Sequence, residues 1–280
     1  MLSFSHANIT GRRVNPGPPE FGAKETMNKY VVTVLIVCGV LVGAARPASA
    51  QMAAWADRGY INVGWGVESG SSALTDTRNL TIYEEAATIN SSATFTSGSL
   101  FDVGVGLRIW KNLTVGAAYH QEQNDTDGAI TGSIPSPVFF NRPRTLNTIV
   151  EGLDRKEMAT HVMLGWVVPI GSKFDMMITA GPSFFRLEQE TVSDVKISEE
   201  GGAFTNVAAT PTLISRKKSQ TGYNVGADAT YIVWQNDSIR LGAGGFVRFT
   251  QASTDVEMLS TAQPTDLGGV QFGFGARIRF

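Results

Sequence analysis

From about residue 58 onward, apolar and polar or small positions alternate with a period of two. In the clearest stretch, Phe101, Val103, Val105, Leu107 and Ile109 fall on one face, and Asp102, Gly104, Gly106 and Arg108 on the other. That is the period of a strand, since a helix repeats every 3.6 residues. The next stretch sets Leu113, Val115, Ala117 and Tyr119 against Thr114, Gly116, Ala118 and His120. The pattern recurs around Ile61–Glu68, His161–Val168, Phe174–Gly181, Tyr223–Val233, Ile239–Arg248 and Phe272–Phe280. No comparable helical periodicity follows residue 50.

The connections between these stretches are of two kinds. Three are short, at 110–112, 170–173 and 235–238; four are long, at about 69–98, 121–157, 189–217 and 253–267. In chain order they alternate, long first and last; within the first, Leu80–Ile89 (LTIYEEAATI) is open to forming a further strand pair. The predicted fold class is therefore all-β: a closed antiparallel eight-stranded transmembrane β-barrel with long extracellular loops, short periplasmic turns and both termini periplasmic. About 9–11 residues per strand cross the apolar layer, and lipid requires every backbone group to be paired, so the sheet must close. A soluble eight-stranded barrel would carry its apolar residues inside. Here the face rich in glycine and fixed charge fits a narrow lumen. Trp65, Trp110, Trp166, Tyr231 and Trp234 fall near strand ends, where an interfacial aromatic girdle belongs.

The strongest apolar run is 31–43, VVTVLIVCGVLVG, preceded by Lys29 and followed by Ala48-Ser49-Ala50. It is too short to span as a helix and reads as a secretory signal peptide over 27–50, cleaved after Ala50. Residues 1–26 are expected to be an over-extended or disordered N-terminus, and 51–280 the barrel domain. Cys38, the one cysteine of the 280 residues, leaves with the signal, which excludes a disulfide scaffold and thiol chemistry from the mature chain. Residues 1–50 hold five basic and two acidic residues of the totals of 23 and 25, leaving 18 against 23 and a net charge of −5. That balance excludes a basic nucleic-acid binder. The 17% charged residues and 30 glycines suit two faces of opposite polarity better than an ordinary soluble surface.

The last strand, Gly273-Phe274-Gly275-Ala276-Arg277-Ile278-Arg279-Phe280, resembles that of small outer-membrane β-barrels of the OmpA, OmpX and OmpW kind. FDVGVGLRIWKNLTVG, FFNRPR, WVVPI and GPSFF together are similar to a subgroup of that class without an assigned activity. The resemblance covers about residues 58–280. It implies that Phe280 is an assembly signal read by the barrel-assembly machinery. It also implies residence in the bacterial outer membrane among lipid and lipopolysaccharide.

Candidate chemistry is sparse. The expected lumen face carries Glu68, Asp102, Asp175 and Asp228 against Arg108, Arg240, Arg248, Arg277 and Arg279. Such charges are costly unless paired, so they form either a salt-bridged plug or the lining of a narrow, anion-attracting pore. His120 and His161 are the only histidines of the mature chain and form an inward polar pair. No serine and no third ligand stands beside them at a telling spacing, so no catalytic residue, metal or cofactor is assigned. Asn124–Gly128 reads as a turn, and Gly181–Phe185 as a bend at the top of the fifth strand. In the longest loop, Phe139, Phe140, Arg142 and Arg144 are candidates for contact with an extracellular ligand or protein. Three readings of the task follow: a non-enzymatic structural, surface-interaction or ligand-binding barrel; a narrow pore or transporter for small or hydrophobic solutes; and a barrel hydrolase.

Overall fold

The computed structural model describes residues 55–96 and 98–280. The expected signal peptide and the 1–26 segment lie outside the described residues. Among the described residues eleven strands are present, all pairing antiparallel. They are β1 (Gly59–Ser69), β2 (Ser72–Ile82), β3 (Glu85–Phe95), β4 (Gly98–Trp110), β5 (Leu113–Ile134) and β6 (Arg144–Ile170). β7 (Phe174–Glu200), β8 (Asn206–Gln235), β9 (Arg240–Met258), β10 (Thr261–Leu267) and β11 (Val270–Arg279) complete them. Following the ladders from β1 through β4, β5, β6, β7, β8, β9 and β11 returns to β1, a ring of strands. β2 and β3 form a hairpin whose β3 joins β5, while β10 pairs only with β9.

The expectation of long loops is therefore corrected: three further strands, β2, β3 and β10, stand beside the eight of the ring. Most of what reads as loop is strand carried past the alternating apolar face. The 121–157 segment is β5 and β6 except for 135–143, and 189–217 is β7 and β8 joined through a short 3-10 turn, Gly202–Phe204. Asn124–Gly128 is likewise strand, with a register shift between Thr126 and Gly128. Residues 69–98 fold as the β2–β3 hairpin around Tyr83 and Glu84, whose φ of 51° and 62° make a two-residue turn without glycine.

Polarity inverts along the ring. Near the short turns the outward residues are apolar and exposed, among them Val105, Leu107, Ile109, Leu164, Ile178 and Phe274. Trp65, Trp110, Trp166, Tyr231 and Trp234 are exposed on the same surface. Inside this half lie glycines and charges. Gly106 and Gly116 are required there, because a Cβ at either would come within 2.6 Å of the Tyr60 ring or hydroxyl. In the far half the arrangement reverses. Leu74, Ile89, Phe95, Ile130, Ile134, Leu146, Leu153, Val192 and Met258 form an interior apolar core. Period-2 alternation holds in both halves, with the two faces exchanged.

Two polar clamps hold the far half. Asp76 on β2 accepts hydrogen bonds from the backbone N–H groups of Ser260 (2.7 Å) and Thr261 (3.0 Å), tying the hairpin to the β9–β10 turn. Glu199 is gripped by the Arg144 guanidinium (Nη2–Oε1 2.8 Å) and receives the Tyr83 hydroxyl at 3.0 Å. The hydrogen bond from Arg144 outweighs partial burial and holds the Glu199 carboxyl below the usual carboxylate range. A depressed folded pKa stabilises above the unfolded value of about 4.3, and the gain is lost as pH falls through the folded value. Hydrogen exchange in 135–143 and 201–205, corrected for intrinsic rates, is thus expected to be flat from neutral pH to about 5 and to accelerate below about 4. Arg144→Gln should abolish that step; an identical step in the variant would show that the clamp is not its source.

Candidate functional site

The interior is built in layers, each supplied by inward positions on several strands. At the end nearest the short turns, Trp55 lies buried against Tyr60, Val167 and Met177. Residues 55–58 line this mouth: the Trp55 N–H donates to Asn112 Oδ1 (3.1 Å) and Arg108 donates to the Trp55 carbonyl. Arg240 Nε donates to Asp57 Oδ1 at 2.9 Å. Arg108 and Arg240 are thus half-buried at the rim and anchor the segment preceding β1. They stand apart from the central network.

That network comprises six of the charged candidates. Arg248 pairs with Asp102 (2.6 Å), and Arg277 grips Asp228 through Nη2 (2.6 Å) and Nε (3.3 Å). Arg279 donates to Asn62 Oδ1 (2.7 Å), Thr230 Oγ1 (2.6 Å) and Asp175 Oδ1 (3.4 Å), with its guanidinium 5.3 Å from the Tyr60 ring centre. Three arginines face three aspartates, all buried. The alternate spacing of Arg277 and Arg279 on β11 aims both inward, as a strand must.

Above lies a polar layer around the histidines. His120 Nδ1 and His161 Nε2 are 2.7 Å apart, and His161 Nδ1 is 2.7 Å from Ser183 Oγ. Asn224 Nδ2 donates to Ser183 Oγ at 2.9 Å. On the other side Glu68 Oε2 stands 3.9 Å from His120 Nε2 and accepts from Gln271 Nε2 at 2.6 Å. Two expectations are corrected here. A serine does stand beside His161, because Gly181–Phe185 lies within β7 and turns Ser183 inward. The β6–β7 ladder skips Val162 and Met163 opposite Pro182, which has no N–H to give. Further potential ligands do face His120: one donor atom each from Glu68, His120 and Glu157 lies within 4.8 Å of the others.

Glu122, Arg155, Glu157, Ser183, Gln271, Trp55 and Asp57 join the interior without a sequence signal of their own. Only the inward parity of β5 and β6 marks Glu122, Arg155 and Glu157, and only once those strands are extended past residue 121. Of the loop candidates, Phe139, Phe140 and Arg142 are exposed, Phe140 at 82%. Arg142 lies 5.8 Å from the Phe139 ring centre. Arg144 is instead committed to Glu199 and to the Pro135 carbonyl (2.7 Å). Phe280 closes the ring through backbone bonds with Gly59.

An antiparallel ring of strands, apolar outside and charged inside near the short turns, defines a membrane β-barrel class. The family described as "Outer membrane protein beta-barrel domain" matches residues 36–280. The chain belongs to that family, whose members reside in the bacterial outer membrane. Solved structures similar to it include Neisserial surface protein A (NspA), at 14% identity over 79% of this chain and 97% of that one, TM-score 0.38. OprG from Pseudomonas aeruginosa shares 11% identity over 80% and 96%, TM-score 0.38. Ail of Yersinia pestis, solved with the heparin analogue sucrose octasulfate, shares 12% over 79% and 99%, TM-score 0.34. No curated protein matches the chain.

Proposed function

We propose that the chain is a closed eight-stranded transmembrane barrel with a sealed lumen, a non-enzymatic structural and surface-interaction protein of the outer membrane. The observation that carries this reading is the filled interior. Polar and apolar layers succeed one another from Trp55 to Met258, and two cavities between them measure only ≈ 20 and ≈ 30 Å³, room for about one water each. Eight strands leave an interior just wide enough for side chains, and paired charges fill this one. The exposed Phe139, Phe140 and Arg142 at the outer tip are the contact points for an extracellular ligand or protein. Lipid and lipopolysaccharide surround the apolar band, and the strand ending in Phe280 engages the assembly machinery after the signal peptide is removed.

Planar-bilayer recording on protein whose heat-modifiable gel migration shows it folded tests the reading. No current above background is expected; stepwise, salt-dependent conductance would replace it with the narrow-pore reading. The hydrolase reading rests on the Ser183–His161–His120–Glu68 chain. It is the weaker one, because Ser183 and both imidazoles are 0% exposed and the Phe185 ring stacks edge-on against both imidazoles. A substrate carbonyl has no path to Ser183 Oγ.

A further inference from the structure

We propose that Glu68, His120 and Glu157 form a binding site for a divalent transition-metal ion of the zinc type, a clamp joining β1, β5 and β6 across the lumen. Three observations carry it. The first is the donor set: one imidazole nitrogen and two carboxylate oxygens, within 4.8 Å of one another and each from a buried residue. Two ligands of one zinc ion, each about 2.0–2.2 Å from it, stand roughly 3–3.6 Å apart. The 3.9 Å between His120 Nε2 and Glu68 Oε2 is too long for a hydrogen bond and contracts to that range with small side-chain rotations.

The second is charge. In the central network three arginines balance three aspartates. The layer above holds Glu68, Glu122 and Glu157, with Glu122 and Glu157 directly opposite on β5 and β6. Among the described residues the one cation paired with them is Arg155, 3.1 Å from Glu157, while Arg248 is committed to Asp102. Ionised, the three carboxylates would leave two negative charges unmatched by Arg155, which a divalent cation bound to them would cancel. The third is support and access. His120 Nδ1 bonds His161, which bonds Ser183, so with the proton on His120 Nδ1 the Nε2 lone pair faces Glu68. That outer-shell hydrogen bond orients a ligating imidazole. Gln271 Nε2, 3.3 Å from both His120 nitrogens, swings aside. The Gly268 N–H at 2.7 Å fixes the Glu157 carboxylate. The ≈ 30 Å³ cavity runs from exposed Ser71 and Thr96 to buried Glu122 and to Glu68, the one of the three ligands that lines it, so an ion would enter on the Glu68 side, where there is room for a water as a further ligand.

The test uses untagged, folded protein stripped with chelator, equilibrated with Zn²⁺ alone, dialysed and assayed for metal per chain. One Zn²⁺ per chain is expected, with Mg²⁺ failing to compete. Glu68→Gln and Glu157→Gln should each weaken binding tenfold or more, and the visible bands of bound Co²⁺ should shift in each variant. Folded wild-type protein that retains no zinc overturns the proposal. So does zinc binding that survives both substitutions, which would locate the ion elsewhere. The two glutamine variants keep His120 in place, so the outcome does not depend on whether His120→Gln folds.

Discussion

Arg279→Met is expected to lower the unfolding free energy by about 3–5 kcal/mol, the cost of stranding one member of a buried ion pair. Arg279 reaches Asn62, Thr230 and Asp175 at once, and its side chain is 1% exposed. Without it the Asp175 carboxylate, also buried, keeps no cation within 4.0 Å among the described residues and must stay charged without a partner or take up a proton. The pair is not thereby a large net stabiliser. Its desolvation cost roughly offsets its attraction, and replacing both members with apolar groups is often neutral. Arg279→Met with Asp175→Leu should therefore recover much of the loss, the signature of an uncompensated charge. Urea unfolding of lipid-reconstituted protein, followed by tryptophan fluorescence, gives both numbers. A single-variant loss below 1 kcal/mol, or a double variant worse than the sum, would mean that Arg279 is not bound as described. Measuring refolded protein separates this effect from assembly, since Arg279 adjoins the terminal Phe280.

How much of this was legible in the sequence depended on which half of a strand a residue occupies. Phe101–Ile109 and Phe272–Phe280 announce themselves because lipid-facing and inward residues differ so sharply in polarity. Past the polar layer that holds Glu122 and Glu157 the same strands continue, but the outward face turns polar and the inward face apolar, so the alternation persists with its faces exchanged and no longer marks a lipid-facing strand. Register shifts between Thr126 and Gly128 and between Val192 and Asp194 move the phase within those extensions. The β2–β3 hairpin was legible only as an open alternative over Leu80–Ile89, for another reason. Its turn residues, Tyr83 and Glu84, carry positive φ without the Asn-Gly signal that ordinarily marks it. The six charges of the central network share the inward parity of clearly alternating stretches, so their common face could be read. Ser183 could not, because a proline beside it reads as the end of a strand. Glu157 could not either: its nearness to Glu68 arises from ring geometry over 89 positions of chain.

Phe185→Ala is expected to cost about 3–5 kcal/mol, the range for truncating a buried aromatic side chain. Phe185 sits where the interior changes character. Its ring meets His120 and His161 edge-on, both at 6.3 Å between centres, while Leu187, Ala252, Val256 and Leu267 surround it on the apolar side. Backbone hydrogen bonds fix the wall of the ring, so the space cannot close by collapse, and the cavity term adds to the lost transfer free energy. Phe185→Leu, which keeps most of the volume, should cost under about 1.5 kcal/mol. Ile149→Ala is the control: Ile149 is just as apolar but lies outward on the polar-faced half, 66% exposed, and should change stability by no more than about 0.5 kcal/mol. The three variants separate a filled interior from a merely hydrophobic strand. Were Phe185→Ala no worse than Ile149→Ala, the layer above the histidines would not be packed. Bulk water would then cross this layer from one side to the other, and the sealed-lumen reading would fail with it.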